Sequence, residues 1–327
     1  MRNMRNSFTL EDISTYRSEL MGIAMIWIMM IHFDFTQLKP LGFVSQFGFL
    51  GPDIFFFVSG FGLYYSLDKN KDIVTFFKKR LVRVFPTYYI IGIIPSIIFY
   101  KDTFLDYLFR YTTIGFWTNN IYGEWYIPSA IMLYLWTPII KVAFDKRAFH
   151  LLCLSLFSVF FLALYLVDKD TIIDRTHFSF LHRIPSFLFG ITCAFWTKKG
   201  TSSKLYFIIM LLCIPIFAYL YPHHHQIYNY KNFSLTYLLP LVIFLFCFIL
   251  KKCKDIYSLT FILSKIGNAS LETYLIQGIF FHAILIKLII IPPLWHDTLT
   301  ILLMIVSSLL GIITHWLVDK TGITRIF

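Results

Sequence analysis

Several ionisable residues stand in stretches that are otherwise apolar. His32 closes an apolar run that opens at Arg17, and Asp53 lies in GPDIFFFVSGF. Glu124 lies in YGEWYIP and Arg183 in FLHRIPSFLFG. A histidine titrates near neutrality and suits proton transfer to or from a reacting group. A second set, Lys78, Lys79, Arg80 and Arg83, crowds into KKRLVRVFP. Arg80 and Arg83 are three residues apart and share a helical face. Their guanidinium forks match phosphate, so a phosphate-rich ligand is one chemistry they could serve. If the run from Arg17 to His32 is one helix, its two ends lie roughly 22 Å apart.

The elements that must position these groups are membrane helices. Of 327 residues, 57% are hydrophobic and 14% charged, against about 25% charged in soluble domains. The composition predicts an all-α polytopic membrane protein of about ten transmembrane helices, with residues 1–327 as a single membrane-embedded domain and no appended soluble domain. The runs are roughly 18–36, 46–67, 84–100, 123–143, 149–167, 179–197, 204–221, 233–250, 267–291 and 297–318, each near the length a bilayer needs. With both termini cytoplasmic, 21 of the 29 Lys and Arg fall on the inner side, as the positive-inside rule expects. That rule also accounts for the net charge of +11 without nucleic acid as a partner. The N-terminus shows no short apolar core with a cleavage site.

This topology places His32, Asp53, Glu124 and Arg183 at a similar depth near the outer side, on four different helices. Arg17, Arg80 and Arg83 fall at the inner side. Ionisable groups in spanning segments usually face an interior cavity and one another. Each also has a plainer reading. His32 could bond a carbonyl at the interface, and Asp53 could cap a helix. Glu124 could be an exposed loop-end carboxylate, and Arg183 could snorkel to headgroups. The basic cluster could simply contact anionic lipid. The cysteines read as small apolar fillers, and His282 and His315 as structural. The triplet His223–His225 has no accompanying carboxylate or cysteine, and no metal site is expected.

Taken in order, these segments resemble the acyltransferase type 3 family of integral-membrane O-acyltransferases. The resemblance is carried by Arg17 with His32, GPDIFFFVSGF from Gly51, KKRLVRVFPTYY from Lys78, EWYIPSAIMLYLWTPII from Glu124, HRIPSFLFG from His182 and IGNASLETYLIQ from Ile266. It implies an essential histidine at His32, a basic partner at Arg17 and an arginine pair at Arg80 and Arg83. Asp53, Ser59 and Gly60, then Trp125 and Tyr126, then Gly267, Ser270 and Tyr274, match further family positions. Pro52, Ala130, Ile131 and Gln277 depart from the pattern. Gln277 stands where a histidine is common, which puts a role for that position in doubt.

The resemblance implies acetyl-CoA as acyl donor and a hydroxyl of an envelope or exported glycan, or a lipid-linked sugar, as acceptor. His32 would be the general base or, as the lesser alternative, a transient acyl carrier, oriented by Asp53 or Glu124, with Arg183 or a nearby hydroxyl at the oxyanion. Arg17, Arg80 and Arg83 would hold the CoA phosphates. The implied location is the bacterial plasma membrane, multi-pass, in contact with lipid and with room for a homodimer. A transporter or flippase of a lipid-linked sugar is the alternative from another class.

Overall fold

The structure is a computed structural model. It describes the chain except residues 1–6, 34, 70–71, 119–124, 168–178, 202, 222–227, 286–288, 290–291 and 323–327, and except the side chains of 148–149, 160–167, 228–233 and 293. It is 88% helical, with no strand among the described residues. Helices satisfy their own backbone groups, which is what a bilayer demands.

After a short α1 (Leu10–Thr15), α2 spans Arg17–Phe33 without a break. The short α3 (Lys39–Ser45) leads at a bend of 46° into α4 (Leu50–Lys69). α5 (Ile73–Pro95) starts well before its apolar run, because Asp72 caps it by accepting from the Val74 and Thr75 amides. It carries Pro86 and Pro95 and runs on into a π-helical turn, Ser96–Tyr100. Two short helices, α6 (Phe104–Tyr111) and α7 (Ile114–Thr118), precede the long α8 (Tyr126–Val167), which breaks at Arg147. Then come α9 (Ile184–Lys198), α10 (Lys204–Leu220), α11 (Tyr228–Lys252), α12 (Tyr257–Asn268), α13 (Ser270–Leu285) and α14 (His296–Thr321).

Four helical stretches among the described residues are long and apolar enough to cross a membrane: Ile73–Tyr100, Tyr126–Arg147, Ser234–Lys252 and His296–Thr321. The bent pair α3–α4 makes a fifth if it counts as one span. The other expected runs appear as shorter helices. The run 267–291 differs most, since the helix begins earlier, at Tyr257, and is interrupted between Asn268 and Ser270.

Two crossings without intervening side chains fix the bundle around α2 and α4. A methyl group built on Gly190 of α9 would stand 1.9 Å from the Phe57 carbonyl oxygen, and one on Gly60 of α4 would stand 2.2 Å from that of Phe187. The same reciprocity joins α2 to α12. There a methyl on Gly267 would lie 1.8 Å from the Ser18 oxygen, and one on Gly22 would lie 2.1 Å from that of Leu263. Small residues let membrane helices touch backbone to backbone, where packing rather than hydrophobicity drives association.

Outside the bundle core, Arg110 donates to both oxygens of Asp102 at 2.8 and 2.9 Å, and Ser96 donates to the same carboxylate at 2.7 Å. Burial pushes the Asp102 carboxyl up. The Arg110 and Ser96 hydrogen bonds and the Arg110 charge outweigh this and hold it below the usual carboxylate range.

Candidate active site

A cavity of about 730 Å³ follows α2 along its length. Arg17 and Ser18 line it at one end of this helix, and Ile28, Ile31 and His32 line it at the other. Lys79, Arg80 and Arg83 from α5 join the Arg17 end, and Arg183 and Phe281 join the His32 end. The cavity therefore joins Arg17, Arg80 and Arg83 to His32 and Arg183, which the sequence separates by the roughly 22 Å of this helix.

At the Arg17 end the three arginines differ. Arg17 and Arg80 have no ion pair among the described residues, although Arg80 packs over the Phe76 ring at 5.1 Å. Arg83 is committed. It donates to Glu272 at 2.9 Å and to the Asn268 carbonyl at 3.2 Å, and lies 3.2 Å from Nδ1 of His315. Glu272 is fully buried, and His315 also reaches it, at 3.3 Å. A buried carboxylate needs such partners, because an unpaired charge there is expensive. Glu272 was legible by the criterion that marks Asp53, a carboxylate in an apolar stretch. It escapes notice because SLETYLIQ reads as a motif and not as a charge.

Midway, hydroxyls collect. Ser59 of α4 faces those of Tyr126 and Tyr134 from α8. Tyr126 in turn packs against Tyr274 of α13, with ring centroids 5.5 Å apart. All four residues line the cavity.

At the other end, Asp53 and Arg183 meet each other rather than His32. Arg183 Nη1 donates to Asp53 and, at 2.7 Å, to the Phe49 carbonyl. Ser186 donates to the second Asp53 oxygen at 2.5 Å. Side-chain exposure is 0% for Asp53 and 2% for Arg183. The expectation that Asp53 orients His32 is thus corrected. Asp53 has its two oxygens filled by α9 and does not line the cavity, whereas Arg183 does. Glu124 lies outside the described residues, as does the triplet His223–His225.

His32 instead meets Gln277, whose Oε1 lies 2.9 Å from Nδ1, and its ring stacks on Phe281 at 4.8 Å. Both partners come from α13. The sequence had set Gln277 aside because the resemblance offers a histidine there. A helical spacing of four between Gln277 and Phe281 was the signal that could have found the pair. His282, read as structural, bonds Tyr100 at 3.1 Å and the Gly278 carbonyl at 2.9 Å.

Among known proteins, residues 20–317 match the family model described as "Acyltransferase domain". A protein of Acidianus two-tailed virus named "Putative acetyltransferase ORF330" is 24% identical over 244 residues, covering 65% of this chain and 70% of its own length. No solved structure matches.

Proposed function

This chain belongs to the acyltransferase family, and on that premise we propose that it is a membrane O-acetyltransferase that moves the acetyl group of acetyl-CoA to a hydroxyl of an envelope or exported glycan. The single observation that carries this reading is the cavity lined at one end by Arg17 and Arg80, without an ion pair among the described residues, and by His32 at the other. The guanidinium groups suit the diphosphate and ribose phosphate of CoA. The pantetheine arm is on the scale of the helix that separates the two ends, so a donor inserted tail-first places its thioester at His32. We assign about ten crossings, with the Arg17 end cytoplasmic, in a bacterial plasma membrane. The nucleotide then never crosses, and the acceptor meets the acetyl group from the opposite side.

His32 acts as general base. It takes the proton of the acceptor hydroxyl while that oxygen attacks the thioester carbonyl carbon. The new C–O bond forms, the C–S bond breaks, and the proton passes from the imidazolium to the CoA thiolate. The developing oxyanion is met by Arg183, held in place by Asp53, or by the Ser59 hydroxyl. Arg17 and Arg80 bind the donor, and Arg83 borders them while tied to Glu272.

Mass spectrometry of envelope glycans from cells carrying the wild-type chain or H32A tests the reading. The expected result is loss of acetyl from an otherwise intact glycan in H32A, with acetyl-CoA binding preserved. Full acetylation by H32A overturns His32 as base. Loss of the whole glycan in a deletion strain, with no change in acetylation of what remains, points to transport of a lipid-linked sugar instead.

A further inference from the structure

We infer that Gln277 is a positioning residue for His32: it keeps the ring proton on Nδ1 and so makes Nε2 the nitrogen that takes the acceptor's proton. This rests on His32 being the base. The contact is short, at 2.9 Å, and Gln277 is buried at 1% exposure. An amide oxygen can only accept, so Nδ1 must donate to it. In neutral imidazole the other nitrogen is then the basic one.

A second contact fixes the ring plane. Phe281, four residues further along α13, lies under the imidazole at an interplanar angle of 28°. One turn of helix therefore grips His32 by its edge and by its face. One turn earlier, Tyr274 of the same helix lines the cavity and touches Tyr126. The spacing 274, 277, 281 is one continuous stripe of α13, so a single rigid element sets both the ring and the wall beside it.

Three ionisable groups on elements around α2 have partners of their own among the described residues. Asp53 of α4 holds Arg183 and Ser186. His282 of α13 bonds Tyr100 and the Gly278 carbonyl. Asp297 of α14 accepts from the backbone amides of Thr36, Gln37 and Leu38. Gln277 differs from all of these in being a side chain that does not titrate. It can order the ring without taking a proton from it, which a carboxylate or a second imidazole at this position could do.

The test is a nitrogen-15 spectrum of histidine-labelled full-length protein in lipid bilayers, with the His32 signals identified by their loss in H32Q. Wild type is expected to show His32 protonated at Nδ1. Q277E, which accepts from Nδ1 while ionised, should keep that tautomer. Q277L, of similar size but unable to accept, should lose the bias. Turnover follows the same order, read as CoA release from acetyl-CoA with water as the acceptor. Q277L should lose about 10- to 100-fold in kcat, within the 10²–10⁴ that a positioned base contributes. Its KM for acetyl-CoA should stay within about twofold, because the donor phosphates bind at the far end. Q277E should recover most of the loss. Protonation at Nε2 in wild type, or Q277L with wild-type tautomer and kcat, overturns the inference. If H32A itself keeps full kcat, the base reading fails, whatever the tautomer.

Discussion

The two ends of the cavity treat their arginines in opposite ways. At one end Arg17 and Arg80 face the space with no carboxylate among the described residues. At the other, Arg183 is locked to a fully buried Asp53. A guanidinium without a carboxylate can take an anion with its full fork, and one that is already paired is fixed in orientation. Arg83 lies between the two cases, bordering the cavity but bound to Glu272. Sequence position alone joins Arg80 and Arg83 as a pair, and geometry divides them.

That contrast can be broken by substitution. The largest effect is expected from D53N, which leaves the buried Arg183 charge without its counter-charge. Breaking such a pair costs about 3–5 kcal/mol, so the apparent Tm in detergent should fall by several degrees or the protein should not accumulate. An unchanged Tm would show that Asp53 is no frame residue. R80Q should do the reverse, with Tm unchanged and the KM for acetyl-CoA raised about tenfold. This corresponds to one charge-assisted hydrogen bond at the low end of 1.5–3 kcal/mol. A wild-type KM would remove Arg80 from the donor site.

R83Q sharpens the division. It should cost stability, about 1–3 kcal/mol for leaving Glu272 short of a donor, but less than D53N because His315 still reaches the carboxylate. Its KM should change less than that of R80Q. Equal KM effects would restore the two as a functional pair.

The smallest effect concerns another paired arginine, Arg110, outside the bundle core. Asp102 is held below the ordinary carboxylate range by Arg110 and Ser96. Its contribution to stability is therefore present above the unfolded carboxylate value, near 3.9, and disappears as pH falls through the lower folded value. D102N should flatten the acid side of a Tm-against-pH curve and leave the neutral side merely lower. An unaltered acid side would mean that the pair carries no such dependence.

Much of the fold was legible because composition and periodicity report burial. The helices appear where apolar runs lie, with shifted ends. α5 begins before its apolar run because Asp72 caps it, and the last-but-one run is interrupted at Ala269. The candidate site was legible in its members and less so in its pairings. Of the outer group, His32 and Arg183 line a cavity that also takes in Arg17, Arg80 and Arg83 from the opposite end of α2. Depth says nothing about which face of a helix a residue occupies. Asp53 and His32 agree in depth, yet Asp53 turns toward α9 and His32 toward α13. Gln277 escapes because it stands where the resemblance offers a histidine, and Glu272 because it sits among motif letters.

The unbroken run of α2 from Arg17 to Phe33 has a consequence for how long this segment is allowed to be. One inserted residue would lengthen the distance from Arg17 to His32 by only about 1.5 Å, which a flexible pantetheine arm could absorb. It would also turn every following side chain by about 100°, since a helix takes 3.6 residues per turn. His32 would leave the Gln277 edge and the Phe281 face together. The segment is thus fixed in phase more tightly than in length, and deletions or insertions are tolerable here only in numbers close to whole turns.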